Sequence, residues 1–327
     1  MNGKIALEEH IMAPDFMVTG RPNFVDEHYL LNNENKIIEY EDRLKDMDKN
    51  GIEIAILSLT STGIEGILDV GEAIARAKQM NDHIANYFIA NNPSRFLGFA
   101  SLPLQDTKAA IIELERAVKT LGFKGAMING YCNLGNENTA QYLDEPQLWE
   151  FWEAVEALNV PIYLHPRMPL PSQRRIYQGY DALLGSAWGF GVETATHALR
   201  LMLSGLFDRF PKLNIILGHL GEGLPYTLPR TQHRLRHQKA EAQGNHKQPL
   251  MDYLRNNFYL TTSGVFRTQA LLNAMLEVGS DRIMFSVDYP YESMSEISQW
   301  FDTCSISEND RRKIGRANAQ KLFNIHQ

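Results

Sequence analysis

The sequence predicts an α/β fold, a closed (β/α)8 barrel in which eight parallel strands are each followed by a helix, and three observations carry that expectation. Short β-rich apolar runs alternate with longer stretches of helical periodicity, which is the pattern of parallel βα units. Eight such runs occur in 327 residues, a length at which barrels of this kind form one unit. Ionisable residues close several of the runs, at the face where barrels build their sites.

In chain order the strands are expected at 4–7, 53–58, 96–101, 123–128, 161–164, 214–218, 258–261 and 283–286. Amphipathic stretches at 41–49, 74–91, 108–121, 147–158, 193–210, 224–241, 268–278 and 296–303 supply the crossovers, and 308–323 closes the chain. An open doubly wound sheet more often has about five to seven strands. Two connections, 11–37 after strand 1 and 166–188 after strand 5, are too long for turns and are expected to carry function. The first holds Phe16, Phe24, His28 and Tyr29, which suit a lid better than a surface excursion or subunit contact. No repeat, low-complexity tract or linker divides the chain, so residues 1–327 are expected to form a single domain.

Composition narrows the partners. The chain is 44% hydrophobic and 22% charged, within the ordinary globular range, and its formal charge of −7 gives no reason to expect nucleic acid or an anionic membrane. Small molecules are favoured. Cys132 and Cys304 lie far apart in no metal or redox spacing, which fits a reducing cytoplasm. The opening apolar stretch runs into Glu8 and Glu9, unlike a secretory leader, and no apolar run is long enough to span a bilayer.

Glu8 and His10 end strand 1 at i, i+2, so both side chains leave the same side of an extended chain. His165, His219 and Asp288 end strands 5, 6 and 8. Taken singly, a histidine after a strand is more often a hydrogen-bonded loop residue, and an aspartate before Tyr-Pro more often a turn residue. Jointly they imply a cation, because Glu8 and Asp288 would repel at one point without one. Two imidazoles with carboxylates suit zinc, manganese or Fe(II), and strand 4 ends in Asn129 with no group to bridge a second ion. One divalent metal is expected. Glu222, three residues past His219, either orients that imidazole or sits as a charge at a helix start. His233 and His237 share a helical face, but in a basic, solvated segment. His83, His197, His246 and His326 read as surface or packing residues.

The segments Gly3-Lys-Ile-Ala-Leu-Glu-Glu-His10, Ala100-Ser-Leu-Pro-Leu-Gln-Asp106, Tyr163-Leu-His-Pro-Arg167, Ile216-Leu-Gly-His-Leu-Gly-Glu222, Leu260-Thr-Thr-Ser-Gly264 and Phe285-Ser-Val-Asp-Tyr-Pro-Tyr-Glu292 resemble the amidohydrolase superfamily in its subgroup of aromatic acid decarboxylases. The likeness runs from residue 3 to about 324. It is nearest the branch acting on 2,6-dihydroxybenzoate (γ-resorcylate), and similar to the 2,3-dihydroxybenzoate and salicylate branches. Superfamily hydrolases mostly open His-x-His; the Glu8-x-His10 opening matches the resorcylate branch. The resemblance implies metal ligation by Glu8, His10, His165 and Asp288, one Mn2+ or Zn2+, and His219 and Glu222 around the reacting ring. It also implies substrate contacts from Phe24, Asn129, Arg230 and Tyr291, the last standing where that branch often has Phe. A dimer or tetramer is implied as well.

Three functions follow. The first is a divalent-metal-dependent carboxy-lyase of ortho-hydroxylated benzoates, most specifically 2,6-dihydroxybenzoate to resorcinol and CO2, in which Asp288 protonates the ring. The second is a mononuclear metallohydrolase of a small lactone, ester or amide, with Asp288 as general base. The third is a barrel that keeps its metal only as a structural staple.

Overall fold

A computed structural model describes residues 1–16 and 23–325. Its eight principal strands are β1 (Lys4–Ile11), β2 (Ile52–Leu59), β3 (Phe96–Gly98), β4 (Ala126–Asn129), β5 (Ile162–His165), β6 (Ile215–Leu217), β7 (Phe258–Thr261) and β8 (Ile283–Met284), all paired in parallel. One sheet runs β1-β2-β3 and the other β8-β7-β6-β5-β4. Isolated parallel bridges, Ala100 to Ala126 and Glu9 to Tyr289, join the two sheets at both edges, so single bridges rather than continuous ladders complete the ring.

Alternation along the strands sorts the core into two layers. Ile5, Leu7, Ile54, Ile56, Phe99, Met127, Tyr163, Ile216 and Met284 fill the interior, and the neighbours Ala6, Ala55, Leu57, Ile215 and Leu217 pack outward under the helices. Burial on both faces explains why these strands read as unbroken apolar runs. The closing helix Asn318–Phe323 adds to the interior, with the Phe323 ring 5.7 Å from that of Phe99. Side-chain caps start the helices Glu27–Ile38, Val70–His83, Thr107–Lys119 and Met294–Thr303, where Asp26, Asp69, Asp106 and Ser293 accept backbone N–H bonds.

The expected crossovers are present, with three additions and one shortening. The first long connection, of which residues 17–22 lie outside the described ones, contains the helix Glu27–Ile38. Asn32, Asn33 and Asn35 weaken its helical signal, yet Asp26 caps it and Ile37 is buried, its carbonyl accepting from Met12 N–H at 2.9 Å. A helix at Leu250–Asn257 precedes β7, and a two-stranded antiparallel ribbon, Cys132–Leu134 against Asn136–Gln141, follows β4. The helix expected to run to 241 stops at Leu235. Among the described residues no helix is long and apolar enough to cross a membrane. His326 lies outside them.

Candidate metal centre

β1 is buried along its whole length, and Glu8 and His10 are fully buried at its C-terminal end. Backbone bonds hold the neighbouring β8 segment against it: Asp288 N–H donates to Glu8 carbonyl at 3.0 Å and His10 N–H to Tyr289 carbonyl at 2.7 Å. Ser286 Oγ accepts Glu8 N–H at 2.6 Å. These bonds carry Asp288 to the mouth beside Glu8 although the two lie at opposite ends of the chain.

The donors converge on one carboxylate oxygen. Glu8 Oε1 lies 3.3 Å from His165 Nε2, 3.7 Å from His219 Nε2 and 3.9 Å from His10 Nε2. Asp288 completes the ring, with Oδ1 3.2 Å from His10 Nε2 and Oδ2 3.7 Å from His219 Nε2. Among the described residues two groups have a spacing that fits a metal ion, Glu8-His10-His165 and Glu8-His219-Asp288, and both include Glu8.

The other oxygen of Glu8 is closed off. Its Oε2 accepts from Tyr163 OH and from Ser263 Oγ, and Thr261 Oγ1 lies 2.8 Å from Tyr163 OH and 3.1 Å from Ser263 Oγ. Oε1, by contrast, and His10 Nε2 are buried without a hydrogen-bond partner. Leaving such atoms unpaired costs about 1–3 kcal/mol each, more for a charge, and a divalent cation taking both removes that cost. The residues therefore fit the ion: oxygen and imidazole donors, no thiolate, and open lone pairs at the convergence point.

Electrostatics agree with a shared positive centre. Burial works against ionised Glu8, yet the charge on His219 and the close imidazoles of His10 and His165 hold its carboxyl well below the usual range. Burial also opposes the His10 imidazolium, but Asp288 and Glu8 outweigh it and raise the group to about 9. A proton is thus held where a cation's charge belongs. His165 is pushed down, by burial first.

His219 occupies a left-handed conformation, φ 52°, as do Leu220, Glu222 and Asp288. Such backbone is costly for non-glycine residues and occurs chiefly at sites. Here it turns the chain after β6 so that Glu222 Oε1 meets His219 Nδ1 at 2.7 Å, which makes Glu222 the partner of the imidazole. Asn129 Oδ1 lies 2.8 Å from His165 Nδ1. Tyr291 packs its ring 5.7 Å from that of His10, and its hydroxyl lies 2.6 Å from Thr60 Oγ1. Tyr29, on the helix of the first long connection, donates to Tyr291 carbonyl at 2.8 Å.

Two other expected residues have these surroundings. Phe24 lines a cleft of about 610 Å3 with Met168, Arg174, Gln178 and Leu184, where the two long connections meet. Arg230 is exposed, because its helix, Leu224–Leu235, buries Leu224, Pro225 and Leu228 and turns position 230 outward. His233 and His237 are likewise exposed, their rings 5.2 Å apart, and are in neither candidate metal group. Sequence reasoning passed over Tyr163 and Ser263. The two-residue period that groups Glu8 with His10 also groups Tyr163 with His165, so Tyr163 carried a signal; Ser263 in Thr-Thr-Ser carried none.

A sequence profile described as amidohydrolase matches residues 14–325, and the chain belongs to that family. It is 50% identical over 326 residues to the γ-resorcylate decarboxylase of Rhizobium sp. (strain MTP-10005), covering 99% of each chain. A crystal structure of a dihydroxybenzoic acid decarboxylase from Polaromonas sp. JS666, with bound manganese and the inhibitor 2-nitroresorcinol, superposes with a TM-score of 0.96 at 49% identity, covering 100% of this chain and 98% of that one. A 2,6-dihydroxybenzoate decarboxylase crystallised with 2,6-dihydroxybenzoate gives 0.95 at 50% identity, covering 99% and 100%.

Proposed function

We propose that this chain is a metal-dependent, non-oxidative decarboxylase of ortho-hydroxylated benzoates, converting 2,6-dihydroxybenzoate to resorcinol and CO2. One observation carries the reading: Glu8, His10, His165, His219 and Asp288 come from four separate chain segments and meet at one buried point with open donor atoms. Full-length similarity to decarboxylases of that acid supports the substrate.

In this reading Glu8, His10, His165 and Asp288 hold one divalent ion, manganese or zinc; a relative crystallised with manganese supports the first. When bound, the ion supplies positive charge that steadies the substrate carboxylate and its ortho oxygen. The chain's own groups do the rest. Asp288, facing the ring, delivers a proton to the carbon bearing the carboxylate. The bond from that carbon to the carboxylate then breaks, its electron pair returns to the ring and CO2 departs. His219 donates its Nε2–H to the carboxylate, and Glu222, 2.7 Å from Nδ1, steadies the charged imidazole. Asn129, Tyr291, Phe24 and Arg230 complete the substrate surroundings, Arg230 only if its exposed position is brought over a site by assembly.

A homo-oligomer, dimer or tetramer, belongs to the same proposal. It is supported by apolar side chains on the second long connection, Ile176 at 82%, Tyr180 at 72% and Trp188 at 61% exposure. A cytoplasmic location is supported by two free, buried cysteines.

The deciding experiment incubates manganese-loaded protein with 2,6- and 2,3-dihydroxybenzoate and follows CO2 with resorcinol or catechol. Resorcinol formation is expected. Hydrolysis of a lactone or ester, with every hydroxybenzoate untouched, would replace the reading with a metallohydrolase.

A further inference from the structure

We propose that Glu65 is a positioning residue: by holding the side-chain amide of Asn129 in one orientation, it selects the tautomer of His165 whose Nε2 lone pair faces the metal centre. This rests on the metal-centre reading above.

A neutral imidazole carries one N–H and one lone pair, and only the lone pair binds a cation. In His165, Nε2 faces Glu8 Oε1 at 3.3 Å and Nδ1 faces the Asn129 side chain at 2.8 Å. An asparagine amide can serve either tautomer. With its oxygen toward Nδ1 it accepts the N–H and leaves the Nε2 lone pair for the ion. With its NH2 toward Nδ1 it donates, and the hydrogen moves to Nε2, against the cluster.

The choice is made on the far side of the amide. Asn129 Nδ2 lies 3.4 Å from Glu65 Oε2; burial raises this carboxyl to about 7, and above that pH its carboxylate oxygen accepts from NH2 but opposes a reversed amide oxygen. Glu65 is 1% exposed, on the short turn Ile64–Gly66 after β2, and the Gln105 side chain pins that turn by donating to the carbonyls of Ile64 and Ile67 at 2.7 and 2.8 Å. Gly63 precedes it at φ 63°, where a Cβ would stand 2.4 Å from Asn129 Nδ2 and 2.6 Å from Glu65 Oε2. The chain is stripped of a side chain at the point where the two groups meet. A buried carboxyl here costs stability that an apolar residue would not, and the mechanism above makes no use of it.

The test uses Glu65→Leu and the near-isosteric Glu65→Met, which both lack an oxygen acceptor. In metal-free protein labelled with 15N-histidine, the nitrogen shifts of His165 report its tautomer. Competition with a chelator reports Mn2+ affinity. Wild type is expected to show a protonated Nδ1, and the variants a mixture of tautomers with Mn2+ bound about 10-fold more weakly. Adding Asn129→Asp, whose two oxygens are equivalent, should restore the tautomer and bring affinity to within about twofold of wild type. An unchanged tautomer in the single variants, or a defect that Asn129→Asp leaves in place, overturns the proposal. Failure of wild type to bind Mn2+ would sink the metal-centre reading instead, and the tautomer measured without metal would still judge Glu65.

Discussion

The two ends of strand β1 treat buried charge in opposite ways. Near its start Lys4 is fully buried and closed: Nζ donates to Met1 carbonyl at 2.7 Å and to both oxygens of Asp302 at 3.1 and 3.0 Å. Arg316 nearby donates to Gly3 carbonyl and Glu53. Four residues after Lys4, Glu8 is buried as deeply but half closed, with Oε2 saturated by hydroxyls and Oε1 left open beside His10 Nε2. Burial alone therefore does not mark a site. The base spends its charges on itself and holds the barrel together, whereas the mouth keeps donor atoms over, which is what a cation requires.

The largest expected effect at the open end comes from Asp288→Asn. Removing the ring's proton donor should lower kcat by about 10^4-fold while manganese content stays nearly intact, since the amide oxygen can still ligate. Unimpaired turnover in that variant would end the role given to Asp288.

His197 extends the comparison to a buried imidazole outside the metal centre, its Nδ1 unpaired. Its Nε2 accepts Leu143 N–H at 2.9 Å, and burial, followed by Arg200, pushes the imidazole down to about 3. The unfolded chain takes up a proton near pH 6.5, and the folded chain only near 3. Stability is therefore full above about pH 6.5 and falls by about 4–5 kcal/mol as pH drops to about 3. His197→Gln should flatten that acid limb in urea titrations without touching metal binding; an unchanged limb would count against a neutral imidazole in the folded chain.

Smaller effects separate the two ends of β1 directly. Glu8→Gln should weaken Mn2+ binding by about 100-fold without lowering the thermal midpoint of the metal-free protein. Wild type should gain about 2.7 kcal/mol at an ion concentration 100 times Kd, and the variant should not. Lys4→Met should do the reverse, costing about 1–3 kcal/mol of stability and leaving Mn2+ affinity where it was. A tenfold loss of affinity in Lys4→Met would show that base and mouth are not separable.

Much of the site was legible because barrel chemistry sits at strand ends. Glu8, His10, His165, His219 and Asp288 each close an apolar run, and all five meet. Glu222 had two readings on sequence alone, and the left-handed turn at 219–222 selects the partner of His219. Glu65 was invisible, since a single carboxylate after a strand looks like any turn residue. Arg230 was assigned to substrate by resemblance alone, although Leu224 and Leu228 already mark the opposite face of its helix as the buried one.

The eight strands, their order and the polar residue ending each functional one were set by the sequence itself, because apolar periodicity is a local property that survives without knowledge of the fold. Tertiary structure alone decided which oxygen of Glu8 stays open. Tyr163 and Ser263, 155 and 255 residues from Glu8 along the chain, reach its Oε2 only when the ring of strands brings them side by side. Contacts at that separation depend on how strands are arranged in space, which no local pattern encodes.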